Sequence, residues 1–495
     1  MLQSSALSDE PSHLETNAQG NGEIRSGKLA GKTLWAAIWI VALPVLLQQT
    51  MQACVGLVDS MLAGRLPDEI ALQALDAISV GAYVTWFIQI AMTGLGIGGQ
   101  AIIARDMGAG NLLDARRALG QAVMLSVAWG AIVGMAMWFG VGPLAALCKL
   151  DAEVTALLSQ YVRIIAVSLP AAGLMLVGAM CLYGAGETML PSLIAIGVNV
   201  VNILVSWALS GVDLTFGQRT FENPFSFDMH VGGIAVGTAV SYAFGALMTL
   251  WVLLHGVKDL RLEVGEMKPN APVSGRLIRI GLPGFFDSFM MWAANIVVLL
   301  FIGMVAVNAS TNGVAAGGLQ GAHLIAIRWE AFSFLPGFAM GTAAGALAGQ
   351  YLGAGNAPMA QRAILVCTAI ASVLMGLLGL VFMFGGEFLT RIISDDELHL
   401  KEVPPLLFIA GVVQVFFAIT MVFRQALRGV GDTRWTFLIT SASSYGIRLP
   451  AAWWLGVHME MGLTGIWLGM SGELVIRCGL FAARFYHGGW KRIRV

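Results

Sequence analysis

Charge is what this sequence has least of. Of its 495 residues only 12% are Asp, Glu, Lys or Arg, about half of the ~25% that a soluble domain uses to wet its surface. Much of the surface must therefore face something other than water. The net charge is -1, so there is no basic footprint and no nucleic-acid partner is expected. Cysteine is sparse as well. The five, at 54, 148, 181, 367 and 478, show no CxxC or paired spacing, and they read as small core-filling residues rather than disulfides or metal ligands. No nucleophile–base arrangement and no HExxH spacing occurs, so an enzyme is not expected, nor any cofactor. No signal peptide is read: the stretch before the first apolar run is long and acidic, and that run is too long for an h-region.

What the chain has in quantity is apolar sequence. It is 57% hydrophobic, with a mean hydropathy of +0.77. Its 61 Gly and 25 Met suit close helix contacts and an adaptable apolar cavity. Apolar runs long enough to cross a bilayer occur at 34–62, 76–103, 116–143, 155–182, 190–211 and 232–255. After a charged stretch they resume at 274–305, 316–348, 360–384, 401–427, 433–457 and 461–485. Helices are required, because open sheet edges cannot face lipid and the runs are too long for barrel strands. With the N-terminus placed in the cytoplasm, 18 of the 28 Lys and Arg fall in cytoplasmic connections, five in outer ones and five within spans. That asymmetry puts both termini inside a multi-pass cell-membrane protein.

The sequence repeats itself. Met107-Gly108-Ala109-Gly110-Asn111 recurs as Leu352-Gly353-Ala354-Gly355-Asn356, a shift of 245. The same shift carries Leu182, Gly184, Gly186 and Thr188 onto Leu427, Gly429, Gly431 and Thr433, with Glu187 onto Asp432. Six spans per half give the halves the same orientation, parallel repeats about an axis along the membrane normal. The expected organisation is a disordered cytoplasmic tail (1–32), an N-terminal six-helix lobe (33–255), a cytoplasmic linker (256–275), a C-terminal six-helix lobe (276–486) and a basic tail (487–495). The repeated glycines are expected to end helices with positive φ, and Thr188 and Thr433 to cap the next ones. No role is read for the outer loop 211–232.

Polar residues inside spans are costly and so are functional candidates. Gln48, Gln52, Gly56 and Asp59 share one face of span 1. Asn199, Asn202 and Ser206 do so on span 5, Thr238, Ser241 and Gly245 on span 6, and Thr85, Gln89, Gly96 and Gln100 on span 2. If these faces meet, the N-terminal half holds a polar pocket around the Asp59 carboxyl. Desolvation favours protonation of such a group, while carboxylate, amide and hydroxyl oxygens are also hard ligands for Na⁺. The coupling ion is therefore H⁺ or Na⁺. In the other half, Asp287, His323 and Glu330 make a second candidate polar site, with Arg448 available to any of these acids. Glu473 and Arg477, spaced i,i+4, read as a structural ion pair.

These features together resemble the multidrug and toxic compound extrusion (MATE) family. The carriers are Leu43-Pro44, Val58-Asp59-Ser60 and Ala63-Gly64 on span 1, and the Gly-Ala-Gly-Asn loops after spans 2 and 8. Gly-Ala-Gly-Glu-Thr at 184–188, Arg-Gly-Val-Gly-Asp-Thr at 428–433, Gly281-Leu282-Pro283 and Gly321-Ala322-His323 add to them. The resemblance implies two lobes, alternating access and antiport of organic compounds against H⁺ or Na⁺. Asp59 matches the family's span-1 acid and Asn202 its span-5 Asn. Where the DinF-like branch often has a further Asp, this chain has Ser206. Span 10 carries Gln414, Arg424 and Gln425 but no acid, which sets it apart from the NorM-like branch and brings it closer to the DinF-like one.

The expectation is thus an all-α membrane protein of twelve transmembrane helices in two parallel six-helix lobes, MATE-like, acting as a monomeric exporter. Its partners are a small-molecule substrate and membrane lipid. Cation coupling falls to Asp59, Asn202, Ser206, Asn199, Ser241 and Thr238, and the substrate cavity to Gln52, Gln89, Asp287, His323 and Glu330. The competing readings are a lipid-linked precursor flippase of the wider superfamily, which would want a more cationic cavity than Arg163, Arg328, Arg424, Arg448 and Arg477 supply, a membrane-embedded enzyme, and a channel.

Overall fold

The structure is a computed structural model. It describes the backbone of residues 23–493 except 64–67, 148–151, 217, 218, 224, 226, 228 and 312–317. Within that range it describes the side chains outside 52–84, 144, 147, 214–216, 219–221 and 308–311.

Long helices follow from long apolar runs. The first half contains α1 (Leu34–Ala63), α2 (Asp68–Ala109), α3 (Leu112–Leu147), α4 (Ala152–Gly184), α5 (Met189–Ser210) and α6 (His230–His255). The second contains α7 (Ala271–Thr311), α8 (Leu319–Gly353), α9 (Ala357–Ile393), α10 (Glu397–Gly429) and α11 (Thr433–Ser443), then α12 (Leu449–Trp453) and α13 (Gly462–His487). Two π-helical turns, Ser444–Arg448 and Trp454–His458, weld α11 and α12 into one rod. Twelve rods result. Even α5, with 22 residues, is about 33 Å long and spans a hydrocarbon core. Prolines sit inside several of them, such as Pro44, Pro170, Pro283 and Pro336, as bundle neighbours permit. The stretch expected as an outer loop over 211–232 gives its last three residues to α6, and the connection before them holds a small antiparallel hairpin, β1 (Leu214–Phe216) with β2 (Arg219–Phe221).

The repeat is visible in the backbone. Gly110 and Gly355 have φ of 80° and 79°, and Gly186 and Gly431 have 77° and 89°, each pair separated by 245. These four end helices in the left-handed region that glycine adopts freely. Gly184 and Gly429 instead remain the last residues of their helices. The threonine caps expected at 188 and 433 do not form. Thr188 Oγ1 donates to Ile40 O, and Glu187 Oε1 caps α5 by accepting from Met189 N and Leu190 N at 2.8 and 3.2 Å. A carboxylate satisfies two helix-end amides, which a single hydroxyl does less well.

α2 packs on α3 and α4 of its own half and on α7 and α8 of the other; α1 lies against α5 and α8. The closest approach of α2 to α8 is made by glycine. A Cβ at Gly108 would strike the Gln350 carbonyl, and one at Gly353 would strike the Arg105 carbonyl. Both residue pairs are related by the 245-residue shift, so the pseudo-twofold axis passes through this crossing. Nearer mid-membrane, Gly98 lies against Leu277 O and Gly281 against Gly94 O.

Both described chain ends converge on the same crossing. Ser26 Oγ donates to Met107 O at 2.6 Å, and Arg105 Nη2 donates to Ile493 O at 3.0 Å. The stretch expected to be a disordered tail through residue 32 is therefore packed from residue 24 onward. Ile24 and Leu29 are buried, and Lys28 pairs with Glu187 at 3.1 Å. Two apolar residues among polar neighbours found a ready-made tertiary site, which composition does not report. The linker is likewise fastened: Arg116 and Arg117 bind Glu263 and Glu266, and Gln121 bonds the Glu266 and Lys268 carbonyls.

Candidate functional site

A cavity of about 280 Å³ lies in the N-terminal half. Gln48 of α1, Thr85 and Gln89 of α2, Asn199 and Asn202 of α5, and Thr238, Ser241 and Tyr242 of α6 supply its polar wall. Tyr161, Met175 and Leu176 of α4 contribute to the rest of the lining. Of the residues that share helical spacing in the sequence, Gln48, Thr85, Gln89, Asn199, Asn202, Thr238 and Ser241 meet at this cavity. Asn202 Nδ2 donates to Thr238 Oγ1 at 3.1 Å, and Thr238 Oγ1 donates in turn to Ile234 O at 3.3 Å. Ser241 Oγ donates to Thr238 O at 2.7 Å. Gln48 Oε1 accepts from Tyr183 Oη at 2.8 Å and from Ser192 Oγ at 3.2 Å, which pins α1 to α4 and α5. The cavity thus collects amide and hydroxyl oxygens inside a wall of apolar helices, a setting in which a cation or a proton-carrying group is bound by polar contacts that bulk water does not dilute.

Ser206 is not part of it. Its hydroxyl is buried and donates to Ile234 O at 3.4 Å, and α6 approaches so closely that a Cβ on Gly237 would strike Ser206 Oγ. The α5–α6 seam closes one turn beyond Asn202, so Ser206 is a packing residue. Asp59 and Gln52 lie outside the described side chains.

The candidate site of the C-terminal half separates into two clusters. Asp287 is fully buried. Its Oδ2 accepts from Arg424 Nε at 2.9 Å and lies 2.8 Å from Arg424 Nη2, with Arg428 Nη1 at 3.7 Å. Asp287 Oδ1 has no partner among the described residues. Elsewhere, His323 Nδ1 accepts from Trp467 Nε1 at 3.1 Å with the two rings edge to face. Arg448 acts electrostatically on both His323 and Glu330, although no ion pair forms between Arg448 and an acid among the described residues. Neither the N-lobe cavity nor the one beside Asp432 is lined by Asp287, His323 or Glu330. Their spacing shows which face each occupies on its own helix, but not that α10 brings Arg424 across to Asp287. Arg424 is the residue that sequence reasoning missed as a partner, because nothing in the spacing of one helix signals contact with another.

Glu473 and Arg477 form the expected pair. Arg477 Nε and Nη2 donate to the two carboxylate oxygens at 2.7 and 2.9 Å, and to Ser443 and Ser444 Oγ at 3.0 Å each. Both side chains are 1% exposed, so the pair fastens α13 to the α11 rod. Between the spans, burial raises the Asp432 carboxyl above its ordinary value, and the hydrogen bond and charge of Arg484 pull it back.

Twelve rods among the described residues, eleven of them single helices long and apolar enough to cross a membrane, stand in two like halves joined at a glycine crossing with a buried polar cavity, and so define a polytopic membrane transport protein. The MatE family model matches residues 44–208 and again 283–454, once in each half, so the chain belongs to the MatE family. The probable multidrug resistance protein NorM of Thermotoga maritima is 26% identical over 454 residues, 91% of this chain and 92% of its own length. The multidrug resistance protein PmpM of Pseudomonas aeruginosa is 26% identical over 448 residues, 88% and 89% of the two chains. A solved structure described as MATE in the straight conformation has a TM-score of 0.81 at 19% identity, covering 93% of this chain and 98% of that one. At that identity the likeness is one of fold.

Proposed function

We propose that this chain is a secondary antiporter that exports small organic compounds, of the drug or toxin kind named for its relatives, in exchange for H⁺ or Na⁺. The lobes 33–255 and 276–486, joined by the linker 256–275, rock about the α2–α8 crossing and expose a shared cleft to alternate sides. Both termini face the cytoplasm, the side to which the Lys and Arg asymmetry assigns them. The observation that carries the reading is the N-lobe cavity, where Asn199, Asn202, Thr238 and Ser241 converge from two helices.

Asp59 stands eleven residues, three helical turns, beyond Gln48 on α1, and Gln48 lines that cavity. We place the coupling ion there. The alternative of coupling in the C-lobe is less well supported, because Asp287 is already held by Arg424. This favours the DinF-like arrangement. The same pairing, with that of Arg477 and Glu473, leaves less free cationic surface than a flippase of anionic lipid precursors requires.

The test is efflux from proteoliposomes under an imposed pH or Na⁺ gradient. Asp59→Asn is expected to abolish gradient-driven transport while leaving substrate binding in place. Undiminished transport by that variant overturns the assignment, and the gradient that drives wild-type efflux identifies the ion.

A further inference from the structure

A second cavity, of about 370 Å³, lies outside the N-lobe, at the end of the bundle where the first and last described residues pack. It is bounded by the start of α7, the start of α11 and the last turns of α13. Three guanidiniums line it, those of Arg279, Arg434 and Arg484, against one carboxylate, Asp432. Arg484 Nε donates to Asp432 Oδ2 at 2.8 Å, and the Arg484 guanidinium stacks 4.8 Å over the Trp435 ring. Arg279 and Arg434 make no ion pair among the described residues, so two positive charges at the cavity are unmatched.

The repeat shows what is different here. In the N-terminal half the equivalent carboxylate, Glu187, caps α5 and is itself neutralised by Lys28. Leu29 fills the space beside Gly186 there. In the C-terminal half Asp432 is drawn away to Arg484, and α11 has no side-chain cap. Its first-turn residues Thr433, Arg434 and Trp435, at the positive end of the helix, line the same cavity as Arg279 and Arg484. Among the described residues, the equivalent place is thus plugged by the chain's own segment in one half and is a basic cavity in the other.

The surroundings identify the source of the anion. From the cavity toward mid-membrane, α7 presents Leu282 and Phe286, and α11 presents Leu438. All three are exposed, at 51, 38 and 51%. Such an apolar stripe running from a basic recess suits acyl chains below a headgroup.

We propose that this recess is a binding site for the phosphate headgroup of an anionic phospholipid, held by Arg279, Arg434 and Arg484, with its chains along α7 and α11. The test uses the purified full chain in nanodiscs of phosphatidylcholine, titrated with phosphatidylglycerol and read by thermal unfolding and by lipid retention in native mass spectrometry. Phosphatidylglycerol is expected to be retained and to stabilise the wild type. Arg279→Gln/Arg434→Gln, both exposed side chains, is expected to lose affinity roughly 25-fold, about fivefold for each guanidinium. Arg391→Gln, on an exposed pair outside the recess, is expected to bind as the wild type does. Equal retention by the double variant overturns the proposal, as does preference for phosphatidylcholine. Full displacement by millimolar inorganic phosphate also overturns it, because the recess would then hold free phosphate rather than lipid.

Discussion

The glycine crossing of α2 and α8 can be tested by adding one carbon at a time. In Gly108→Ala the new methyl lands on the carbonyl, carbon and Cα of Gln350; in Gly353→Ala it lands on the Arg105 carbonyl and its neighbours. Neither obstacle is a flexible side chain, so relief comes only from moving one helix axis away from the other by about 1 Å. Overpacking of a tight site costs about 1–3 kcal/mol, and a backbone obstacle puts each substitution near the upper end. The two sites share one crossing. Once the first methyl has separated the helices, the second meets less resistance, so the double variant is expected to cost clearly less than the sum of the singles. Gly140→Ala and Gly472→Ala are the controls. Both positions are helical with nothing within 4 Å of the added carbon, and each is expected to gain about 0.5–1 kcal/mol from helix propensity. The assay is thermal unfolding of the purified chain in detergent, with flux measured in proteoliposomes on the same samples. Wild-type stability for Gly108→Ala, or strictly additive losses in the double variant, would refute the reciprocal contact.

Two further outcomes follow from buried polar groups. Glu473→Gln strands a buried guanidinium and is expected to cost about 3–5 kcal/mol in unfolding measurements, whereas Glu473→Leu/Arg477→Met, which removes both charges, is expected to recover most of that loss; equal losses would show that the pair is solvated. Ser206→Asp is expected to destabilise the chain by at least about 2 kcal/mol and to lower the yield of monodisperse protein on size exclusion, because Gly237 leaves no space for a carboxylate. Normal stability with improved coupling would show instead that the α5–α6 seam opens and that residue 206 belongs to the ion site.

The bundle was legible in the sequence because hydrophobic length, not detailed packing, decides which segments cross a bilayer. The runs read at 190–211 and 232–255 match α5 and α6 within two residues. The repeat was legible for a similar reason. Gly110, Gly186, Gly355 and Gly431 need a backbone conformation that other residues avoid, so they recur as letters. The N-lobe cavity was foreseeable in outline, since helical spacing puts Asn199 with Asn202, and Thr238 with Ser241, on single faces. Where that face is pressed shut was not, because it depends on Gly237 of α6 meeting Ser206 of α5. Local pairs such as Glu473–Arg477 can be read from i,i+4 spacing; Arg424–Asp287 joins residues 137 positions apart, and no periodicity reports it.

The linker lies beside the chain ends as well. Gly27 N donates to Asp259 Oδ2 at 2.9 Å, and Lys258 Nζ reaches Gly27 O at 3.4 Å. The first described residues, the linker and the last described residues therefore share one neighbourhood, and a short bridge from residue 493 to residue 23 would join two segments that pack on the same end of α2. Cutting within 256–262 and closing that bridge would present the halves in reverse succession without rerouting any strand of chain through the bilayer. Wild-type stability in such a rearranged chain is the outcome that the shared neighbourhood leads one to expect, with thermal unfolding as the measurement.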